Sequence, residues 1–304
     1  MDLWVITLFV ALAIRMGTPL LLACLGEIYS ERAGVLNLGI EGTMMLGAAI
    51  GFIAAYETQS LLFGFLSAMA VGGLLGLIHG VVVVDLRGNQ MISGLAITFV
   101  GMGLSSLIAH SYVGRVLNVD APQIRVFEDV PIISAIFCQN VVVYLAYILS
   151  IVMWFMVFHT RIGIEIRAVG ENPIVAEASG VNVEKIRLIC TVLSGAFAGL
   201  GGAYISLIDM RSWTDLLTVG KGWVALALVI VSLWNPLFAL FISYFFGALY
   251  AFQVFLGIDI NLAKMIPYAA TIPVLAVASK LARRLGIPVL GKPYIREEEA
   301  LHGV

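Results

Sequence analysis

Residues 160–187, TRIGIEIRAVGENPIVAEASGVNVEKIR, form a polar segment between two long apolar runs. The runs on either side, residues 130–160 and 188–208, contain no Asp, Glu, Lys or Arg. About 20 apolar residues in an α-helix are enough to cross a bilayer. The polar segment is therefore predicted to connect two membrane crossings through water.

The rest of the chain repeats this alternation of apolar runs and short polar breaks. Hydrophobic residues make up 61% of the sequence and charged residues only 12%, which is typical of an integral membrane protein. The sequence lacks the period-two alternation of a membrane barrel, so helices must satisfy the backbone in lipid. We predict an all-α, polytopic fold with about nine crossings, in the range of roughly 8–10. The other runs are residues 58–84, 88–114 and 222–258, with shorter runs at residues 3–25, 42–56 and 265–279.

One of these runs, residues 222–258, is long enough for two crossings, and Asn235 and Pro236 interrupt it. No Ser- or Pro-rich linker divides the chain, so residues 1–290 are predicted to form one transmembrane domain. Within it, residues 160–187 are an aqueous loop, and residues 291–304 follow as a tail. If this loop and the tail are cytoplasmic, most Lys and Arg residues also lie in the cytoplasm, as the positive-inside rule requires. The N-terminus is then outside.

A second polar segment, residues 26–42 (GEIYSERAGVLNLGIEG), follows the first apolar run. Its acids, its asparagine and its glycines predict a broken or re-entrant helix. Non-helical backbone within a membrane must be covered by protein or face a watery cavity, and ionisable groups there usually face a pathway. Glu27, Asn37 and Glu41 are therefore candidate residues of a translocation pathway. The alternative is an ordinary aqueous loop in which Arg32 pairs with Glu31.

Asn89 and Gln90 precede the apolar run that begins the fourth crossing. Either side chain could cap this helix, which is the simpler role. Either could also line the translocation pathway, and we include both among the pathway candidates. Small residues at positions 72–76 and 194–203 predict close helix packing in lipid.

The polar segment 160–187 contains the signals of a short helix. Asn172 is a good N-cap, Pro173 suits the first helical position, and Gly180 can adopt the left-handed conformation after the last turn. These signals predict a helix over residues 173–179. A helix of about 10 Å is too short to be stable alone in water, so it needs either a protein partner or the lipid headgroups.

Nothing in the sequence indicates catalysis by this chain. It has no Gly-Lys-Ser/Thr phosphate loop, so ATP is not expected to bind here in that way. The four histidines and three cysteines are dispersed, and no nucleophile is accompanied by a base. We predict no catalytic residue, no metal site and no cofactor in this chain. The net charge of −2 gives no reason to expect a nucleic acid partner.

Three blocks of the sequence together resemble the membrane permeases of bacterial ABC importers, in the branched-chain amino acid and ribose permease group. The blocks are residues 27–42, 88–96 and 167–173, the last supported by residues 194–199. The first block, with AGVLNLGIEG after its acids, is most similar to the simple-sugar and nucleoside permease subgroup.

This resemblance implies a transport subunit of the bacterial inner membrane, surrounded by lipid, that is not itself an enzyme. ATP and Mg would bind to a separate ABC ATPase, and the further partners implied are a second, homologous permease in a heterodimer and an external substrate-binding protein. The helix at residues 173–179 corresponds to the coupling helix that sits in a groove of the ATPase. The ATPase-coupling residues are then Arg167, Gly170, Glu171, Asn172, Pro173, Ile174, Glu177 and Gly180. Many relatives have Ala where this chain has Ile174 and Val175.

The expected function is import of a nucleoside or a related ribosylated small molecule by alternating access. An importer of simple sugars of the ribose or galactose type is the alternative within the family. A secondary transporter, driven by an ion gradient and dependent on Glu27 or Glu41, is an alternative outside it. A membrane-embedded enzyme is a third alternative, against which the missing catalytic residues count.

Overall fold

The computed structural model describes residues 3–124, 127, 130, 131, 133–255 and 260–284. The predicted tail, residues 291–304, lies outside these described residues. The helices are α1 Leu3–Arg32, α2 Ile40–Thr58, α3 Leu61–Gly80, α4 Gln90–Ala109, α5 Ile133–Phe137, α6 Val141–His159, α7 Arg161–Glu171, α8 Pro173–Ala178, α9 Val183–Tyr204, α10 Lys221–Val231, α11 Pro236–Phe255 and α12 Ile260–Arg284. Two of them end in a π-helical turn, Val81–Asp85 after α3 and Ile205–Asp209 after α9.

The prediction of an all-α membrane protein is confirmed. The described residues contain helices and isolated β-bridges but no strand. Among the described residues, six helices are long and apolar enough to cross a membrane, and Lys221–Val231 and Met265–Ala278 are shorter apolar helices. The remaining predicted crossing corresponds to α2, which has 19 residues and is mostly buried. Each of the predicted crossings thus contains a helix.

Small residues bring the central helices α2, α3 and α9 into backbone contact. A Cβ added to Gly72 in α3 would lie 2.2 Å from the carbonyl oxygen of Gly195 in α9. A Cβ added to Gly202 in α9 would lie 1.9 Å from the carbonyl oxygen of Met44 in α2. No side chain fits at such distances, so the glycines allow the close packing that the sequence predicted.

The helix break at Asn235 and Pro236 is also confirmed. The chain turns after α10, and Pro236 is the first residue of α11. The Asn235 side chain accepts a hydrogen bond of 3.0 Å from the Leu237 N–H and so caps α11. Trp234, in this turn, has a φ of 53° and packs back towards α1, as described below.

Two non-helical segments lie inside the helix bundle. Residues 33–39 connect α1 to α2 and are largely buried, which confirms the predicted break in the segment 26–42. Residues 210–220 connect α9 to α10, and Trp213, Leu217 and Thr218 in this loop are buried. The sequence did not predict that this second segment would be buried, and we call it the 210–220 loop.

Candidate functional site

Side chains of the surrounding helices satisfy the backbone of the buried segment 33–39. The Leu36 N–H donates to Gln90 of α4 and the Asn37 N–H to Glu27 of α1, both at 2.9 Å. The carbonyl oxygens of this segment are bound by Arg187, Thr98 and His79. Backbone without helical hydrogen bonds is costly to bury. The segment is therefore held in place by side chains that come from four different helices.

Glu27 is the carboxylate at the centre of this arrangement. One oxygen accepts the hydrogen bond from the Asn37 N–H, and the other accepts a hydrogen bond of 2.5 Å from the Ser194 hydroxyl of α9. Asn37 is 1% exposed, and its side-chain oxygen accepts a hydrogen bond of 2.8 Å from the Gly39 N–H. Its amide nitrogen has no hydrogen-bond partner among the described residues. The structure thus places two predicted pathway residues in contact and leaves one buried donor available.

Glu41, the third predicted pathway residue, fixes the 210–220 loop to α2. One of its oxygens accepts hydrogen bonds from the Thr218 hydroxyl at 2.5 Å and the Gly220 N–H at 2.9 Å. The other accepts a hydrogen bond of 2.6 Å from the Gly222 N–H. Three donors converge on one buried carboxylate, and each bond to an ionised group is stronger than one between neutral groups. Glu41 therefore holds the loop at the start of α10.

The neighbouring residues Asn89 and Gln90 have different environments. Asn89 is exposed, and its side-chain oxygen caps α4 by accepting hydrogen bonds from the Met91 and Ile92 N–H groups at 2.9 and 3.1 Å. Gln90 is 8% exposed and contacts segment 33–39 through Leu36. Of this pair, the structure brings only Gln90 to the buried site with Glu27 and Asn37.

A chain of charged residues runs from α1 towards Glu41. Arg15, inside the first apolar run, binds Asp209 at 3.1 Å. Asp209 in turn lies 3.8 Å from the Lys221 ammonium. Lys221 is largely buried at the start of α10, next to the two glycines that bind Glu41. Charged groups within membrane segments usually pair with one another, as these three do.

Glu31 and Arg32 do not form the simple pair that an aqueous loop would predict. Both residues are instead hydrogen-bonded to Trp234. Its indole N–H donates to Glu31 at 2.5 Å, and its carbonyl oxygen accepts a hydrogen bond of 2.9 Å from Arg32. The Arg32 guanidinium also lies 5.1 Å from the centre of the Phe158 ring. The end of α1 is therefore bound to the turn between α10 and α11.

The short helix in the polar segment forms as predicted. It covers Pro173–Ala178, and the Asn172 side chain caps it by accepting a hydrogen bond of 3.1 Å from the Val175 N–H. Gly180 has a φ of 86°, which is the left-handed conformation expected after the helix. Beneath α8, Val169, Ala176 and Val183 form a small buried cluster. The local sequence therefore specified this helix almost to the residue.

The outer face of α8 is apolar and uncovered. Ile174 and Val175 are 38% and 59% exposed, and Glu171, Asn172 and Gly180 are exposed around them. Pro173 and Glu177 are half-buried, and Arg167 lies beside Phe158 at 5.6 Å from the ring centre. We call residues 171–180 the α8 face. It contains six of the eight predicted coupling residues.

The other two predicted coupling residues lie behind this face. Arg167 shares the Phe158 ring with Arg32, and Gly170 packs directly on the end of α1. A Cβ added to Gly170 would lie 2.0 Å from the Arg32 carbonyl oxygen. The segment that carries the α8 face is thus in direct contact with the residues that lead into segment 33–39.

Sequence reasoning missed several residues of the buried site. Ser194, Thr98 and His79 lie within apolar runs, where a single hydroxyl or imidazole gives little signal. Asp209 and Lys221 stand at the ends of apolar runs in the sequence, and nothing in the sequence indicates that they lie close to each other. One sequence feature could have indicated the pairing of Arg15 with Asp209. Arg15 is a charged residue in the middle of the first apolar run, and such residues usually have a charged partner.

Comparisons of the sequence with known proteins identify the family of this chain. Residues 9–275 match the family model described as the permease component of branched-chain amino acid transport systems. The chain is 38% identical to the putative glucose ABC transporter permease protein TsgC13 of Haloferax volcanii, over 79% of this chain and 75% of that protein. No solved structure gives a significant match.

Two further relatives are permeases of nucleoside transporters by name. The guanosine ABC transporter permease protein NupQ of Bacillus subtilis is 32% identical over 96% of this chain and 98% of its own length. The nucleoside ABC transporter permease protein NupC of Lactococcus lactis is 31% identical over 86% of this chain and 88% of its own length. A second guanosine permease protein of Bacillus subtilis, NupP, matches at 27% identity over 64% of this chain and 59% of its own length.

Proposed function

We propose that this chain, which belongs to the permease family of branched-chain amino acid transport systems, is the membrane subunit of an ATP-driven importer of nucleosides. The observation that carries this proposal is the α8 face. A six-residue helix exposes Ile174 and Val175 to solvent, while Ala176 on its other side is buried against Val169 of α7 and Val183 of α9. Such a helix gains little by itself, and a protein groove that covers its apolar residues would stabilise it.

The partner that fits this face is a separate ABC ATPase. The described residues of this chain offer no phosphate-binding loop, so ATP and Mg would bind to that partner. Its groove would bury Ile174 and Val175 and could contact Glu171 through a charged side chain. The face lies on the same segment as Lys185 and Arg187, and the positive-inside rule puts this side in the cytoplasm. In a bacterial inner membrane the N-terminus would then be outside.

The contacts behind the α8 face give a route for movement. Gly170 contacts the Arg32 carbonyl oxygen, and Arg187 binds the Ala33 carbonyl oxygen at 3.1 Å. Movement of α7 and α8 would therefore displace segment 33–39, whose residues Asn37 and Leu36 bind Glu27 and Gln90. ATP would bind the ATPase with different affinity in the outward-open and inward-open conformations of the transporter. ATP binding would therefore shift the equilibrium between these two conformations.

A nucleoside is the substrate that the relatives favour. NupQ and NupC, whose names specify guanosine and nucleosides, each match more than four-fifths of this chain. The glucose permease TsgC13 has a higher identity over a shorter part of the chain, so a sugar is the second candidate. The match to both NupQ and NupP supports a second, homologous permease as partner. An external substrate-binding protein would deliver the substrate.

The experiment that tests this proposal measures docking on the α8 face. The variant Val175→Asp places a charge in the apolar contact, and Lys185→Asp reverses the charge of an exposed residue outside that face. We expect the first variant to abolish co-purification with the cognate ATPase in mild detergent, and the second to retain it. Retained ATPase binding by Val175→Asp, with normal ATP-dependent uptake of guanosine, would contradict the proposal.

A further inference from the structure

A cavity of about 280 Å³ lies at the half of α1 that is remote from the α8 face. Arg15 is 17 residues before Arg32 in α1, a distance of about 25 Å at 1.5 Å per residue. Its wall includes Arg15 and neighbouring residues of α1, together with Asp120, Cys138, Gln139 and Arg211. In the proposed orientation the cavity belongs to the outer half of the protein.

The two arginines of the wall are already matched by carboxylates. Arg15 is paired with Asp209 at 3.1 Å, and Arg211 is paired with Asp120 at 2.9 Å. An anion would therefore find no unbalanced positive charge, and it would have to displace an existing partner. A cation would likewise find each of these carboxylates already paired with a guanidinium group. The charge of the wall favours a neutral ligand.

The wall also offers hydrogen-bonding groups that a neutral ligand can use. Gln139 lines the cavity and is 6% exposed, and its amide nitrogen donates a hydrogen bond of 2.6 Å to the Ala135 carbonyl oxygen. Its amide oxygen can accept a hydrogen bond from a ligand. The Nε of Arg211 is buried and has no hydrogen-bond partner among the described residues. Leu8, Leu12 and Leu207 supply apolar surface beside them. The cavity thus combines apolar surface with polar groups, and in small-molecule sites such polar groups fix the orientation of the ligand.

The cavity connects to the buried site through charged residues. Arg15 binds Asp209, which lies 3.8 Å from Lys221. The residues on either side of Lys221 are Gly220 and Gly222, whose N–H groups bind Glu41. A ligand that contacts Arg15 would thus lie at one end of a chain that ends at the carboxylate holding the 210–220 loop.

We infer that this cavity is a binding site for the transported solute, as a neutral molecule with several hydroxyl groups, before it passes to the site around Glu41. The inference rests on the proposed function and adds a location and a ligand class to it. A volume of about 280 Å³ is at the lower end for small-molecule pockets. It therefore suits a single nucleoside or monosaccharide and not a larger conjugate.

The native thiol of Cys138 provides a test, because it lines the cavity and is partly exposed, whereas Cys24 and Cys190 are buried. The full transporter in liposomes is treated with a membrane-impermeant maleimide, alone or with guanosine, glucose or leucine. We expect Cys138 to be labelled, and guanosine or glucose to slow its labelling several-fold while leucine does not. Unchanged labelling with both guanosine and glucose, or slowing by leucine alone, would overturn the inference.

A second test fills the cavity without changing its charges. Ala11→Phe adds a ring inside the wall, and Val5→Phe adds the same ring on an exposed part of α1 outside it. We expect Ala11→Phe to lower guanosine uptake about tenfold by overfilling, with ATP hydrolysis retained and Val5→Phe unaffected. Normal uptake by Ala11→Phe would also overturn the inference. If the unmodified transporter takes up no guanosine or glucose with ATP, the proposed function fails, and that result is distinct from failure of the cavity.

Discussion

Arg187, in the first turns of α9, donates a hydrogen bond of 3.1 Å from its Nε to the carbonyl oxygen of Ala33, the first residue after α1. Arg187 is 6% exposed, so its guanidinium is buried at this contact. The bond joins the end of the polar segment 160–187 to the start of segment 33–39. Together with the contact of Gly170 on Arg32, it links the α8 face to the buried site.

Removal of this bond should uncouple the two regions. Arg187→Met keeps the length of the side chain but leaves the Ala33 carbonyl oxygen without this donor, which costs about 1–3 kcal/mol when the group is buried. A coupling free energy of this size corresponds to a change of about tenfold. We therefore expect the ratio of guanosine uptake to ATP hydrolysis to fall about tenfold. Lys185→Met, on an exposed neighbour, is the matched control. Equal ratios of uptake to hydrolysis in the two variants would count against this link.

A side chain at Gly170 should separate α7 from α1. Gly170→Ala adds a Cβ that would lie 2.0 Å from the Arg32 carbonyl oxygen, whereas a Cβ at Gly103 in α4 meets nothing within 4 Å. Overpacking costs about 1–3 kcal/mol, so we expect a lower unfolding temperature and reduced uptake for Gly170→Ala. Gly103→Ala should leave both unchanged. Thermal unfolding in detergent and uptake in liposomes measure these effects, and a stable, active Gly170→Ala variant would refute the close contact.

Glu41 should control the mobility of the 210–220 loop. Glu41→Gln replaces one acceptor oxygen with an NH₂ group, so at least one of its three donors loses its partner, at a cost of about 1–3 kcal/mol. We expect faster hydrogen exchange of the loop amides, with lower uptake. Glu57→Gln is the control. Glu57 lies at the other end of α2 and accepts a hydrogen bond of 2.7 Å from the Tyr112 hydroxyl, so its replacement should leave hydrogen exchange of the loop unchanged. Unaltered exchange in Glu41→Gln would show that the carboxylate does not hold the loop.

The cap of α8 should determine how well this helix binds its partner. Asn172→Ala removes the acceptor for the Val175 N–H, which lowers helix stability by about 1 kcal/mol. Asn172→Asp keeps an acceptor and should behave like the unmodified chain. The affinity for the ATPase, measured by titration in detergent, should fall for the first variant only. An equal loss in both variants would instead indicate a direct contact of the Asn172 amide with the partner.

Local signals in the sequence explain which features could be predicted. Asn172, Pro173 and Gly180 lie close together in the chain and specify the start and the end of α8. The helix ends at Ala178, one residue before the predicted end at Ser179. The break between α1 and α2 followed from polar residues and glycines in one short segment. In both cases the residues that decide the structure are neighbours in the chain.

The contacts that the sequence did not reveal join distant residues. Glu41 binds Thr218, which is 177 positions away, and Glu27 binds Ser194, which is 167 positions away. A single sequence contains no signal for such pairs, because either partner alone has several other ways to satisfy its hydrogen bonds. The burial of the 210–220 loop and of Lys221 depends on these pairs. It therefore became visible only in the folded chain.

The central claim is that a separate ATPase drives transport through this chain, and uptake by the reconstituted system tests it most directly. Guanosine uptake is measured in liposomes that contain this chain and its second permease, with the external binding protein, and with or without the ATPase and ATP. We expect uptake only when both the ATPase and ATP are present. Uptake by the permeases without the ATPase, driven by an ion gradient, would contradict the account.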